Sequence, residues 1–481
     1  MRALLCVLIA CASFAVQAAG MGYDDARHLL ARSGFAPTEA EVQSYAQLTR
    51  AQAVDKLLSE TRRVAQTPAP AWVNEPPVAL RDFKQLSDVA RKQLQRLQIE
   101  RGVEMRGWWY QEMLTTSTPL TERMTLFWHN HFVSSQQKVK SAQLMYRQHL
   151  LLREQALGNF GGLLHAVSKD PAMIVYLDNA SNRRGQPNEN FAREVMELFT
   201  LGVGNYTEQD IKEAARAFTG WSVDRANGEF RFYPLLHDAG PKTVLGRSGD
   251  LDGDAVLDIL LAQPATAEFI SAKLWREFIS PEPDPKEVKR LARLFREARY
   301  EIKPLLRAMF TSDAFYAPAN RARLIKSPVD FLVGTQRQFG IEGLDTRLLV
   351  FAGRQLNQDL FGPPNVKGWP GFDTWINSTT LLGRKQFMER IFRAEEMPLD
   401  RRTLREEMGP GAARAMAGQA MLANVRFDTA SFFSGFKGSE DQRRVSVQRL
   451  VLSTPASPKA NTTERIEFIR QLVLDPVYQL K

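Results

Sequence analysis

Apolar residues return at helical spacing along most of the chain. From Asp24 to Glu60 they are Leu, Ala and Val, every three or four positions, which predicts helix. Val78 to Leu114, rich in Leu, Gln, Arg and Lys, predicts one long helix or a broken pair. Thr207-Glu208-Gln209-Asp210 resembles a capping box and opens a helix through Phe218, with Ile211, Ala214, Ala215 and Phe218 as its buried stripe. Two segments interrupt this spacing. Trp221 to Leu245 carries short apolar runs around Asn227-Gly228 and Gly240-Pro241, predicting a small β-hairpin or structured loop within an irregular insertion over 221–250. The second insertion, 361–378, holds Gly362, Pro363, Pro364, Gly368, Pro370 and Gly371. The predicted fold is therefore mainly α: a large multi-helix core over 20–400, a weakly patterned helical appendage over 401–463, and a C-terminal helix over 464–481 packing back on the core. No internal repeat is present.

The N-terminus follows a different pattern. Arg2 precedes the apolar run Ala3 to Val16 and the small residues Ala18, Ala19 and Gly20, which predicts a signal peptide over 1–19 cleaved after Val16-Gln17-Ala18. The protein is then exported, periplasmic or extracellular, and no later stretch is apolar enough to predict a transmembrane segment. Leu8-Ile9-Ala10-Cys11 resembles a lipoprotein processing site, but a lipoprotein is disfavoured because only ten residues precede the cysteine. Cys6 and Cys11 are the only cysteines, so the mature chain is expected to have no disulfide, thiol nucleophile or Cys-bound zinc.

Composition narrows the class further. The 481 residues are 44% hydrophobic and 24% charged, which excludes a disordered or collagen-like chain. Lys and Arg number 63 against 54 Asp and Glu, a net charge of +9 that suits an anionic envelope surface. Basic pairs such as Arg183-Arg184 are scattered, and no nucleic-acid groove is predicted. There is no phosphate-binding loop, dinucleotide fingerprint, His-Glu-x-x-His or Gly-x-Ser-x-Gly elbow.

Four motifs carry candidate chemistry. On a regular helix, Asn188 through Leu201 places Glu194 in one arc with Phe191, Val195, Leu198, Phe199 and Leu201, and Glu197 and Asn190 at its edge. A carboxylate on an apolar face must be paired, metal-bound or protonated. Glu194 and Glu197 are the candidate catalytic pair, with Asn190 and Arg193 as substrate contacts; the plainer alternative is a buried Glu–Arg pair that fixes helix packing. In Phe127-Trp128-His129-Asn130-His131-Phe132, the two imidazoles point about 160° apart on a helix, making His131 the better metal candidate and a core histidine the competing reading. His237-Asp238, on the irregular insertion, is a second candidate for metal binding. Trp369 and Trp375, on the Gly/Pro-rich loop, are candidates for stacking on a sugar, unless they plug the helical core.

Several of these blocks together resemble a bacterial family, domain of unknown function 1800. They are Phe127 to Phe132, Asp170-Pro171-Ala172-Met173 to Leu177-Asp178-Asn179, Asn188 through Trp221, His237-Asp238, Lys273-Leu274-Trp275-Arg276, Ile325-Lys326-Ser327-Pro328, Pro363 through Leu382 and Asp475 to Gln479. The resemblance implies an exported, mainly helical protein, encoded beside a second exported family similar to sulfatases. It implies no settled activity. Two functions are therefore expected to compete. One is a hydrolase of an envelope or extracellular polymer such as a polysaccharide, working by a divalent metal or by paired carboxylates. The other is a non-enzymatic envelope partner of the sulfatase-like protein.

Overall fold

The apolar spacing becomes helix almost everywhere in a computed structural model of the protein, which describes residues 19–77, 85–224, 226–393, 422, 424–456 and 462–481. Residues 1–18 of the predicted signal peptide lie outside the described residues, as does much of 401–463. Asp24 to Glu60 divides into three helices, Tyr23–Ser33, Glu39–Ala46 and Arg50–Ser59, the last two opened by capping boxes at Thr38 and Thr49. The long helix runs Asp88–Thr115, N-capped by Ser87. The Thr207 capping box opens Glu208–Ala217, whose Ile211, Ala214 and Ala215 are buried. Asp170 caps Pro171–Tyr176 with proline at the first helical turn, which gives the Asp-Pro motif a local cause.

The 221–250 insertion contains two hairpins rather than one. Trp221–Val223 (β1) pairs antiparallel with Phe230–Phe232 (β2), and Lys242–Val244 (β3) with Arg247–Gly249 (β4). Gly246 closes the second with φ 78°, a left-handed turn that glycine adopts without strain. These are the only sheets among the described residues. The fold is mainly α with a small β insertion.

A single apolar cluster extends from Ala26 to Tyr478. From the described part of 401–463, Val425, Phe427, Phe433, Phe436, Val447 and Leu450 join it. Phe427, Phe432 and Phe436 form an aromatic group that reaches Phe339 and Phe392, with ring centroids 5.3–5.8 Å apart. Short aromatic runs between loops do not give a periodic signal, although they bury well. The C-terminal helix ends at Leu474, before the turn Pro476–Gln479, and packs on Ser378–Phe392 through Arg470 and Glu389.

The core also holds charge. Asp330, at the start of Pro328–Phe339, meets Arg123 at 2.7 Å and Lys481 Nζ at 2.7 Å. These two cations hold its carboxyl well below the usual carboxylate range, against the opposing effect of burial. Arg153 lies between Glu112, at 3.1 Å, and Glu122, all three fully buried. Trp109 Nε1 donates to Glu122, and the backbone N–H groups of Gln66 and Thr67 donate to Glu112. Removing one member strands the others in a medium where a lone charge is costly. Arg123→Met is expected to cost about 3–5 kcal/mol in urea unfolding. The Asp330 contribution is present above the unfolded carboxylate pKa and is lost as pH falls through the acid range, so the Arg123→Met deficit should shrink on acidification.

Candidate functional site

Glu194 ends the helix Glu189–Glu194, and the next turn, Val195–Thr200, is a π turn. Leu201 N–H donates to Met196 O at 2.8 Å, and Thr200 Oγ1 donates to Val195 O at 2.6 Å, each reaching five residues back. This wider turn shifts the phase assumed for a regular helix. Phe191, Val195, Phe199 and Leu201 are buried as expected, but Met196 and Thr200 join them, while Glu194 and Leu198 are only half-buried. Glu194 keeps a raised pKa, mainly from desolvation and then from the Glu197 charge, with Arg193 and Lys367 opposing. Its carboxylate has no hydrogen bond or ion pair among the described residues. Glu197 accepts from the Tyr206 hydroxyl at 2.6 Å. The two carboxylates thus differ in environment, as an acid–base pair requires. Arg193 is engaged elsewhere, bridging Glu189 and Glu208 at 3.2 and 2.8 Å and fastening this helix to Glu208–Ala217. Asn190 is exposed.

The imidazoles do not join Glu194. His131 is fully desolvated; its Nε2 donates to Phe199 O at 3.1 Å and its Nδ1 accepts from Lys273 Nζ at 2.9 Å. Burial and the Lys273 charge hold it neutral, and burial pushes the Lys273 amine down to about 8. His129 faces the other way, 3.1 Å from His149 Nδ1, in a box with Trp109 and Phe361. His237 Nδ1 contacts Thr219 O at 2.9 Å, and Asp238 pairs with Arg216 at 2.8 Å, which draws its carboxyl down to about 2. These two residues fasten the end of the first hairpin to Thr219. No group of three His, Cys, Asp or Glu among the described residues is placed to hold a metal ion. His131, His237 and Asp238 are thus not brought together as a ligand set; each is occupied by a local bond.

The aromatic loop serves packing. Trp369 and Trp375 are 4% and 6% exposed, too buried to stack on a sugar. Asn130 clamps the loop: its Oδ1 accepts from Trp369 N–H at 2.6 Å and its Nδ2 donates to Trp369 O. Gly368 has φ +85°, and a Cβ there would lie 2.2 Å from Asn130 Oδ1, so only glycine fits.

A large concavity lies elsewhere and was not predicted. It is a cleft of about 800 Å³ between the long helix, Gln136–Val139, the β1–β2 hairpin and Thr346–Gln355. Leu94, Ile99, Val103, Leu144, Val175, Val350 and Phe351 give it apolar walls. Ile99 and Phe351 at its mouth are 67% and 49% exposed. Arg106 and Arg354 share Asp359 at 2.7 and 3.1 Å, and Lys138 pairs with Asp178 at 2.7 Å, all on the wall. Lys140 alone among these wall cations makes no ion pair among the described residues. Two wall residues other than glycine, Lys140 and Asp178, each have φ 59°, the left-handed region. Such conformations cost energy and concentrate at functional sites. Lys138 also covers the Tyr176 ring at 5.5 Å, and the Tyr176 hydroxyl is pushed up by burial and then by the Glu194 charge.

Two outcomes follow from this geometry. Lys140→Gly should raise stability by about 1 kcal/mol in urea unfolding, because glycine accepts the left-handed backbone. Glu194→Gln should leave the melting temperature at pH 7 at or above that of the parent. A raised carboxyl pKa contributes stability below the unfolded value and loses it as pH rises, so the gain over the parent should vanish in acid.

No curated protein and no solved structure matches the chain. The family model described as Protein of unknown function (DUF1800) matches residues 28–467. That span takes in the Asn130–Trp369 clamp, the Glu194–Glu197 turn and the whole cleft wall, and the chain belongs to the DUF1800 family.

Proposed function

We propose that this is an exported envelope binding protein whose cleft receives a long-chain amphiphile with an acidic head. The cleft is the observation that carries this reading. Its volume falls within the roughly 300–1,000 Å³ typical of small-molecule sites, and its walls are apolar side chains on rigid helices. Large apolar side chains left half-open at its mouth would lose water on binding. Lys140, the wall cation without an ion pair among the described residues, suits an acidic head. A co-exported sulfatase-like protein is the proposed recipient in the envelope. In a displacement titration, hexadecanoate should release an anionic naphthalene dye from the parent chain. Phe351→Asp should weaken hexadecanoate at least about tenfold, or ~1.4 kcal/mol. Equal affinity of the two proteins, or no displacement from the parent, would overturn the reading.

A second reading, a carboxylate-pair hydrolase of an envelope polymer, is favoured by the raised pKa of Glu194 beside Glu197. Here Glu194 is the acid and Glu197, oriented by Tyr206, its ionised partner. A fully folded Glu194→Gln chain that loses cellular function would support it, and one that retains function would end it. A metal-assisted version has no ligand set among the described residues, so elemental analysis is expected to find no stoichiometric transition metal.

A further inference from the structure

The helix Pro285–Glu297 separates its two faces sharply. Val288, Leu291, Ala292 and Phe295 are buried, one or two per turn. The outer face carries Lys286, Lys289, Arg290, Arg293 and Arg296, all exposed, with Arg299 exposed in the turn that follows. Spacings of three and four residues put these cations on one side, over about 15 Å from Lys286 to Arg296. Arg290 pairs with Glu287 at 2.8 Å. Lys286, Lys289, Arg293, Arg296 and Arg299 make no ion pair or side-chain hydrogen bond among the described residues, although Glu297 lies exposed on the same helix. Elsewhere most arginines are paired, so a run of unpaired cations on one rigid helix stands out.

We propose that this face docks the protein on an anionic phospholipid surface. The helix is convex and its aromatic residue, Phe295, points inward at 0% exposure. It therefore offers no groove and no ring on which a sugar chain or single-stranded nucleic acid would stack. Cations on long flexible stems match the diffuse field of a planar layer of anionic headgroups instead. The chain's net charge of +9 adds to that attraction. This inference does not depend on the cleft or its ligand.

Sedimentation of the mature chain with vesicles tests it. The parent should pellet with phosphatidylglycerol-containing vesicles, release as salt is raised, and stay in solution with phosphatidylcholine alone. The variant K286Q/K289Q/R293Q/R296Q should lose at least about tenfold in partitioning. A control with the same charge change on other exposed cations, R184Q/K212Q/R247Q/K437Q, should lose far less. The half-variants K286Q/K289Q and R293Q/R296Q should fall between, and they test the face should the fourfold variant not fold. Equal losses in stripe and control variants would reduce the effect to net charge and overturn the assignment. So would binding to dextran sulfate without binding to anionic vesicles, which would make the partner a polymer.

Discussion

Charge cannot enter a water-free interior unpaired, and this fold carries a good deal of charge inward. Each buried carboxylate or guanidinium gives up hydration worth several kcal/mol, which only a close and well-oriented partner offsets. Those partners come from distant parts of the chain. Arg123 of Pro119–His131 and Lys481 converge on Asp330, while Arg153 draws Glu112 and Glu122 together. Arg32 is held by the carbonyls of Phe278, Ile279 and Asn320, two of them at the C-terminal end of Pro264–Phe278, where a cation is favoured. Apolar packing alone would tolerate small rotations of these helices; the ion pairs restrict them.

That constraint explains how the motifs divide. His131, His129, His237 and Asp238 looked like chemistry because imidazole and carboxylate are versatile, but each is used to satisfy a buried or half-buried neighbour. The motif around His131 does have a joining role, through Asn130. Its amide reads both the N–H and the carbonyl of Trp369, 239 residues away, and excludes any side chain at position 368. The sequence signal for it was present as an Asn between two aromatic-rich turns and a Gly before a Trp; nothing in either motif alone pairs them.

Helices, caps and the β insertion were legible because they follow from local spacing and capping chemistry, as at Thr207 and Asn227-Gly228. The π turn was not. A helical wheel assumes 100° per residue, and one extra residue in a single turn moved Glu194 from the apolar arc to its edge. The cleft was also invisible, since its walls come from Pro77, the long helix, residues 136–144, the first hairpin and residues 350–359, with no shared pattern. Of the candidate residues, Glu194 and Glu197 are close enough for their charges to interact, while the cavity was announced by none of the motifs.

Lys481 has a consequence for how the interior is coupled. Its ammonium completes the Asp330 cluster, its backbone N–H donates to Leu324 O, and Leu480 bridges Ile325. Asp330 lies 151 residues earlier in the sequence and also holds Arg123, so one carboxylate ties three distant segments together. Arg123 and Lys481 therefore share a single counter-charge, and a change at either one is transmitted to the other.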